Sequence, residues 1–183
     1  MAKWWLISWT THGTWLPGDE RGYRTWRGQQ YVPPPTRYAK PGEPTYNASD
    51  HAAVLQMAQS VCDEAVYLTG EQKEIALAAM VTEVAQIRVV PAIMSVGEWH
   101  VHWFCYFGTL EIRPVASRVK AAATRGLNAR GFQGKKPWTK GCNMRSKSTR
   151  RECRNAYKYV RDHRDQGCLI YEWKIDPQYL EFE

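Results

Sequence analysis

The chain has 183 residues, 44% of them apolar, and a net charge of +7. That is enough for one domain with a hydrophobic core and short for two. The composition is too apolar for a disordered chain, and no apolar run approaches the roughly 20 residues that span a bilayer. The opening Met-Ala-Lys-Trp-Trp is too briefly apolar for a signal peptide, so a cytoplasmic protein is expected.

In chain order, Trp4-Trp5-Leu6-Ile7-Ser8-Trp9-Thr10 is aromatic and β-branched and predicts a strand. It ends in Thr11-His12-Gly13-Thr14-Trp15-Leu16-Pro17-Gly18, a turn. Residues 19–47 are polar and rich in Gly and Pro, and read as a long surface loop or insertion. There Tyr23, Trp26, Tyr31 and Tyr38 mix with Arg21, Arg24, Arg27 and Arg37, a composition suited to stacking single-stranded bases and equally to loop padding. Asn47 to Asp50 supply helix caps before an apolar-periodic segment ending near Cys62.

Ala65 to Leu68 is expected as a short strand, and Thr69 or Gly70 opens a helix to about Gln86, with Ile75, Ala79, Val81 and Val84 near one face. Arg88 to Val96 is a strand in which Pro91 signals an edge or a bulge. Gly97 makes a tight connection to the clearest strand, Trp99 to Phe107. Residues 111–129 form a basic helix with Ile112, Val115, Val119 and Ala122 or Ala123 inward. After the basic loop Gly131 to Lys136, Trp138 to Met144 is read as a last strand. Ser148 or Thr149 caps a helix to about Gln166, stopped by Gly167, and residues 168–173 are extended. Strands and helices alternating in a small chain predict an α+β fold with an antiparallel-rich sheet.

Five cysteines, Cys62, Cys105, Cys142, Cys153 and Cys168, form no CxxC pair and read as reduced thiols, mostly interior. Charge is concentrated: residues 113–164 hold 16 of the 25 Lys and Arg against two acids, Glu152 and Asp162. Such a block favours a polyanionic partner, most simply nucleic acid, over a merely solvated face.

Two motifs carry chemistry. In Glu98-Trp99-His100-Val101-His102-Trp103-Phe104, alternate residues share a strand face. Trp99, Val101, Trp103, Cys105 and Phe107 make one apolar face, while His100 and His102 project together from the other, where two imidazoles can ligate one divalent metal. A lone His-x-His is common on sheet surfaces; the anchored opposite face gives this pair its weight. In Asn155-Ala156-Tyr157-Lys158-Tyr159-Val160-Arg161-Asp162-His163, the residues Cys153, Ala156, Tyr157 and Val160 fall on a core stripe. Tyr157 is therefore a packing residue. Tyr159 lies at the flank, with His163 four residues on and nearly on its side. A phenol is a weak nucleophile at its pKa of about 10, and a neighbouring metal is one way to assist it.

The order and content of these elements resemble the HUH endonuclease superfamily, and more narrowly the one-tyrosine transposases, including the REP-associated tyrosine transposases. The resemblance spans most of the chain: the opening strand with its Thr-His-Gly-Thr-Trp-Leu-Pro-Gly-Asp-Glu-Arg-Gly turn, Leu68-Thr69-Gly70-Glu71-Gln72 at a helix start, His100-Val101-His102, and the late Tyr-Val-x-x-His helix. It implies one ferredoxin-like HUH domain over residues 1–183, with an extended tail from about residue 168. It implies Mg²⁺ or Mn²⁺ on His100 and His102, with Tyr159 as the nucleophile. It also implies a single-stranded or hairpin DNA substrate cleaved to a 5′-phosphotyrosine and a free 3′-hydroxyl, then rejoined without ATP. Its usual third ligand, four residues after the tyrosine, is Gln or Asn; here His163 stands there, with Gln166 and Glu98 as alternatives. DNA-backbone contacts are expected among Arg118, Lys120, Arg125, Arg130, Lys135, Lys136, Lys140, Arg145 and Lys147, with a salt-dependent affinity. Neither monomer nor homodimer is selected by the sequence. Two rivals remain: a non-catalytic single-strand binder, which does not need His100, His102, Tyr159 and His163 to converge, and a replication-initiator or relaxase-like nickase with related chemistry. A hydrolase using activated water would leave Tyr159 without a role.

Overall fold

A computed structural model of the protein describes residues 4–24, 31–32, 48–134 and 136–175. The chain divides into two compact units, residues 12–66 and residues 1–11 together with 67–183. Among the described residues the secondary structure is α+β, with one five-stranded sheet, one two-stranded ribbon and four α-helices.

The larger unit holds strand β1 (Trp4–Thr10). The ribbon, β2 (Tyr23–Arg24) with β3 (Tyr31–Val32), and helix α1 (Ala48–Ser60) belong to the smaller. Then follow α2 (Gly70–Val84), β4 (Val90–Val96), β5 (His100–Tyr106), α3 (Ile112–Ala129), β6 (Asn143–Lys147), α4 (Arg150–Asp162), a 3-10 turn (His163–Gln166) and β7 (Leu169–Glu172). The sheet runs β6-β1-β5-β4-β7 with every pairing antiparallel. The first six elements of the larger unit follow a β-α-β-β-α-β order, and β7 adds a strand beside β4.

Both faces of the central strand β5 are buried. Val101, Trp103 and Cys105 are fully enclosed on one side, with Trp103 edge-on to Phe107. On the other, Phe104 joins Trp4, Ala92, Ile93, Cys153, Ala156 and Val160 in one cluster, so α4 covers this face. Cys153, Ala156 and Val160 recur at helical spacing, and Tyr157 packs at the edge of the cluster. The helix begins on a capping box: the Thr149 hydroxyl accepts from the Glu152 amide while the Glu152 carboxylate accepts from the Thr149 amide. It ends through the 3-10 turn at Gly167, whose φ of 75° is left-handed.

Helices α2 and α3 pack on one another. Gly126 lets them approach closely, since a Cβ there would sit 3.1 Å from that of Ala79. Their inward faces are Ala76, Met80, Glu83 and Val84 on α2, and Val115, Ala116, Val119, Ala122, Ala123 and Leu127 on α3. The buried stripe of α2 is thus turned from the expected one, with Ile75, Ala79 and Val81 only half-buried. Buried Glu83 is paired with both Arg118 and Arg125.

Several expectations shift. Residues 65–68 form no strand; single bonds, Val66 amide to His12 carbonyl and Leu68 amide to Glu98 carbonyl, hold each end. The strand expected over 138–144 lies at 143–147, with Trp138 in an isolated bridge to Thr11, because glycine at 141 with φ 77° breaks the segment. The bulge signalled by Pro91 is present, as a register shift between Pro91 and Ile93. All five cysteines are free thiols, three of them buried. Most of the 19–47 insertion, including Trp26, Arg27, Arg37 and Tyr38, lies outside the described residues, as does the tail beyond 175. Within the smaller unit Tyr23 is buried with its hydroxyl on His51, so it is not presented for stacking bases, and Arg21 pairs with Asp19. No helix among the described residues is long and apolar enough to cross a membrane.

Phe104→Ala should cost about 3–5 kcal/mol, as a buried aromatic lost between sheet and helix, and Thr149→Ala about 1 kcal/mol as a lost cap. Urea unfolding of the two variants would measure both.

Candidate metal centre

The site is built on the α4 face of the sheet. Directly opposed residues in an antiparallel ladder share a face. His102 sits between Ser8 of β1 and Ser95 of β4, and His100 stands opposite Thr10. Small hydroxyl residues flank the imidazoles, so no bulky neighbour fills the space above them. That space is closed from α4 and its 3-10 extension by His163.

Three histidines converge there. One ring nitrogen from each of His100, His102 and His163 lies within 4.8 Å of the others. His100 and His163 are buried and His102 nearly so. Ring centroids are 4.9 Å apart for His100 and His102, 5.1 Å for His100 and His163, and 4.4 Å for His102 and His163. Neither Glu98, which is exposed, nor any other carboxylate joins the group among the described residues, and Gln166 is exposed.

The His163 ring is oriented by its own helix. Its Nδ1 lies 2.7 Å from the Tyr159 carbonyl oxygen, which can only accept, so Nδ1 carries the proton and Nε2 keeps its lone pair. The same bond fixes the backbone turn that carries Tyr159. His100 Nε2 lies 3.9 Å from the Cys168 thiol, which follows the Gly167 stop.

A metal ion fits this group. The His102 Nδ1 is buried without a hydrogen-bond partner, a cost to the fold that a bound cation would offset. Burial holds the His102 pKa well below the usual 6.5, and the positive charge that His100, His163 and Arg145 can carry pushes the same way, so the ring is neutral at pH 7. A neutral imidazole is the ligating form.

Tyr159 stands at the rim, 47% exposed, its ring 5.1 Å from that of His102 and 4.6 Å from that of His163. Its hydroxyl pKa is raised by partial burial, against an opposing pull from Arg145. Tyr157 differs in every respect that matters. Its hydroxyl donates to Glu172 at 2.7 Å, and burial together with that carboxylate pushes its pKa up to about 12.

The basic residues named from the sequence separate. Arg118 and Arg125 are engaged by Glu83. Lys120 donates to the Thr139 and Gly141 carbonyls and lies 5.8 Å over the Trp9 ring, and burial lowers its pKa to about 8. Arg130 lines a cavity with Thr69, Gln72 and Phe132 at the start of α2. Lys136 and Lys140 are exposed and Lys147 half-buried; Lys135 lies outside the described residues. Arg145 alone of these exerts its charge on His102 and Tyr159. Ser8, Thr10 and Ser95 were not singled out from the sequence; their alternation with apolar neighbours was visible, but their place beside the histidines depends on strand register.

No family model matches the chain, and no curated protein matches it.

His163→Ala should weaken Mn²⁺ binding at least tenfold, as removal of one of three ligands, while Tyr159→Phe leaves it unchanged; electron paramagnetic resonance of free Mn²⁺ reads both. In metal-free protein the unfolded chain protonates His102 below pH 6.5 while the folded chain declines the proton. Stability should therefore fall as pH drops below that value. Thermal melts of His102→Asn should show a flatter acid limb than those of the wild type.

Proposed function

We propose that the protein is a metal-dependent single-strand DNA nicking and joining enzyme of the HUH type, similar to the one-tyrosine transposases, with Tyr159 as its nucleophile. The observation that carries this reading is the convergence of Tyr159 on the three-histidine group, ring to ring within about 5 Å, from a helix remote in sequence from the His-x-His strand. The β-α-β-β-α-β order of the sheet supports a ferredoxin-like fold of that type. Hairpin-associated single strands are the substrate class and the cytoplasm the setting.

What a divalent cation supplies when His100, His102 and His163 hold it is Lewis-acid polarisation of the phosphate. Of Mg²⁺ and Mn²⁺, the all-imidazole donor set favours Mn²⁺, since Mg²⁺ prefers oxygen ligands. Tyr159 Oη forms the new bond to phosphorus as the P–O3′ bond breaks. The electron pair leaves on O3′, which takes up a proton, and the phenolic proton passes to water. The 5′-phosphotyrosine conserves the bond energy, and a second 3′-hydroxyl reverses the attack and joins the strands. His163 orients the turn bearing Tyr159 through its bond to the Tyr159 carbonyl. Tyr157, held by Glu172, keeps the helix seated and takes no part in the chemistry.

Labelled single-stranded hairpins incubated with the protein and Mn²⁺ should yield a denaturation-resistant adduct. Tyr159→Phe and EDTA should each abolish it, and Tyr157→Phe should retain it. An adduct that survives Tyr159→Phe removes the assignment of the nucleophile; tight hairpin binding without any adduct favours a non-catalytic binder.

A further inference from the structure

Several basic side chains have structural work. Arg118 and Arg125 hold Glu83, Lys120 caps two carbonyls, Lys158 pairs with Asp162 and Arg164 with Glu172. Arg145 has none: it is exposed and makes no ion pair or hydrogen bond among the described residues. Its position is set by the ladder. Arg145 opposes Leu6, and Leu6 opposes Phe104, so all three share the face that carries His102. Asn143, its neighbour on that face of β6, opposes Ser8, which in turn opposes His102. Two strand spacings, roughly 10 Å of backbone, separate β6 from β5.

A guanidinium with no ion pair or hydrogen bond among the described residues, on the sheet face that carries His102 and with no carboxylate in the histidine group, leaves positive potential over that face. The species that satisfies the guanidinium is an anion lying between β6 and β5. Tyr159 stands over the same face, so a phosphate placed there is within its approach.

We propose that Arg145 is the anion-binding residue of this site, donating to the non-bridging oxygens of the phosphodiester that Tyr159 attacks, from the side opposite the three histidines. The inference rests on Tyr159 as the nucleophile. Arg145 donates hydrogen bonds and transfers no proton. It stabilises the negative charge that gathers on the equatorial oxygens as Oη–P forms and P–O3′ breaks, with its bidentate fork matched to a phosphate. Lysine, a single point charge, should substitute only in part.

Two readouts separate the inference from the reading beneath it. The first uses thymidylyl-thymidine, which carries a single phosphodiester, added to Mn²⁺-loaded Tyr159→Phe protein and followed by ³¹P line broadening. Arg145→Gln in that background should weaken binding at least tenfold and remove the broadening, Arg145→Lys should be intermediate, and the affinity for Mn²⁺ alone should not change. The second is the rate of hairpin adduct formation with Tyr159 intact, which Arg145→Gln should lower about 100-fold, as loss of one preorganised donor does. Unchanged dinucleotide binding or an unchanged adduct rate in Arg145→Gln overturns the proposal. Dinucleotide binding that depends on Arg145, in a protein that forms no adduct, would leave the anion site standing and remove the nucleophile.

Discussion

The contact on which the site depends is the seating of α4 on the sheet. Val160, Ala156 and Cys153 are buried against Trp4, Ala92, Ile93 and Phe104. The stripe they form is narrow, and everything one turn to its side is fixed by it. Val160 is completely enclosed. With that residue held, Tyr159 on its near flank and His163 three residues on have little freedom of placement. Phe104 lies in the same cluster, and His102 stands one step along the same strand face. The strand and the helix thus share one packing unit that places ligands and tyrosine together.

Enclosure also sets the electrostatics. A histidine on an open sheet surface keeps an ordinary pKa and competes for protons near neutrality. Here burial does the opposite for His102, and the charge that His100 and His163 can carry pushes the same way. The hydrogen bond from His163 to the Tyr159 carbonyl removes one further degree of freedom, the choice of tautomer. What remains is one ring nitrogen from each of three histidines, all within 4.8 Å of one another. A cluster of buried polar atoms without such a role would be a cost to the fold.

The basic block has a divided purpose. Arg118, Arg125 and Lys120 were grouped in the sequence with the DNA-facing candidates because they are charged and helical. The structure ties each to a buried carboxylate or to carbonyls at a loop. Local charge density counts such residues as surface, whereas burial of Glu83 turns two of them into internal counter-ions. Arg145 shows the reverse case, a residue ordinary in sequence whose strand position brings its charge to the histidines.

The sequence by itself determined the period-two strand with His100 and His102 on one face, the off-stripe placement of Tyr159 against Tyr157, the capped helices and the antiparallel α+β class. Each follows from local periodicity, which backbone geometry imposes wherever a face is buried. It did not determine the shift of the last strands, the absence of a strand at 65–68 or the turned stripe of α2, because there apolar runs are short and pairing partners decide. Local periodicity did not give the bond from Tyr157 to Glu172 or the face on which Arg145 lies, and the approach of His163 to His100 and His102 was expected only through the family resemblance. Those are distances between segments far apart in the chain. Only the strand order β6-β1-β5-β4-β7, with α4 packed across it, brings them within reach.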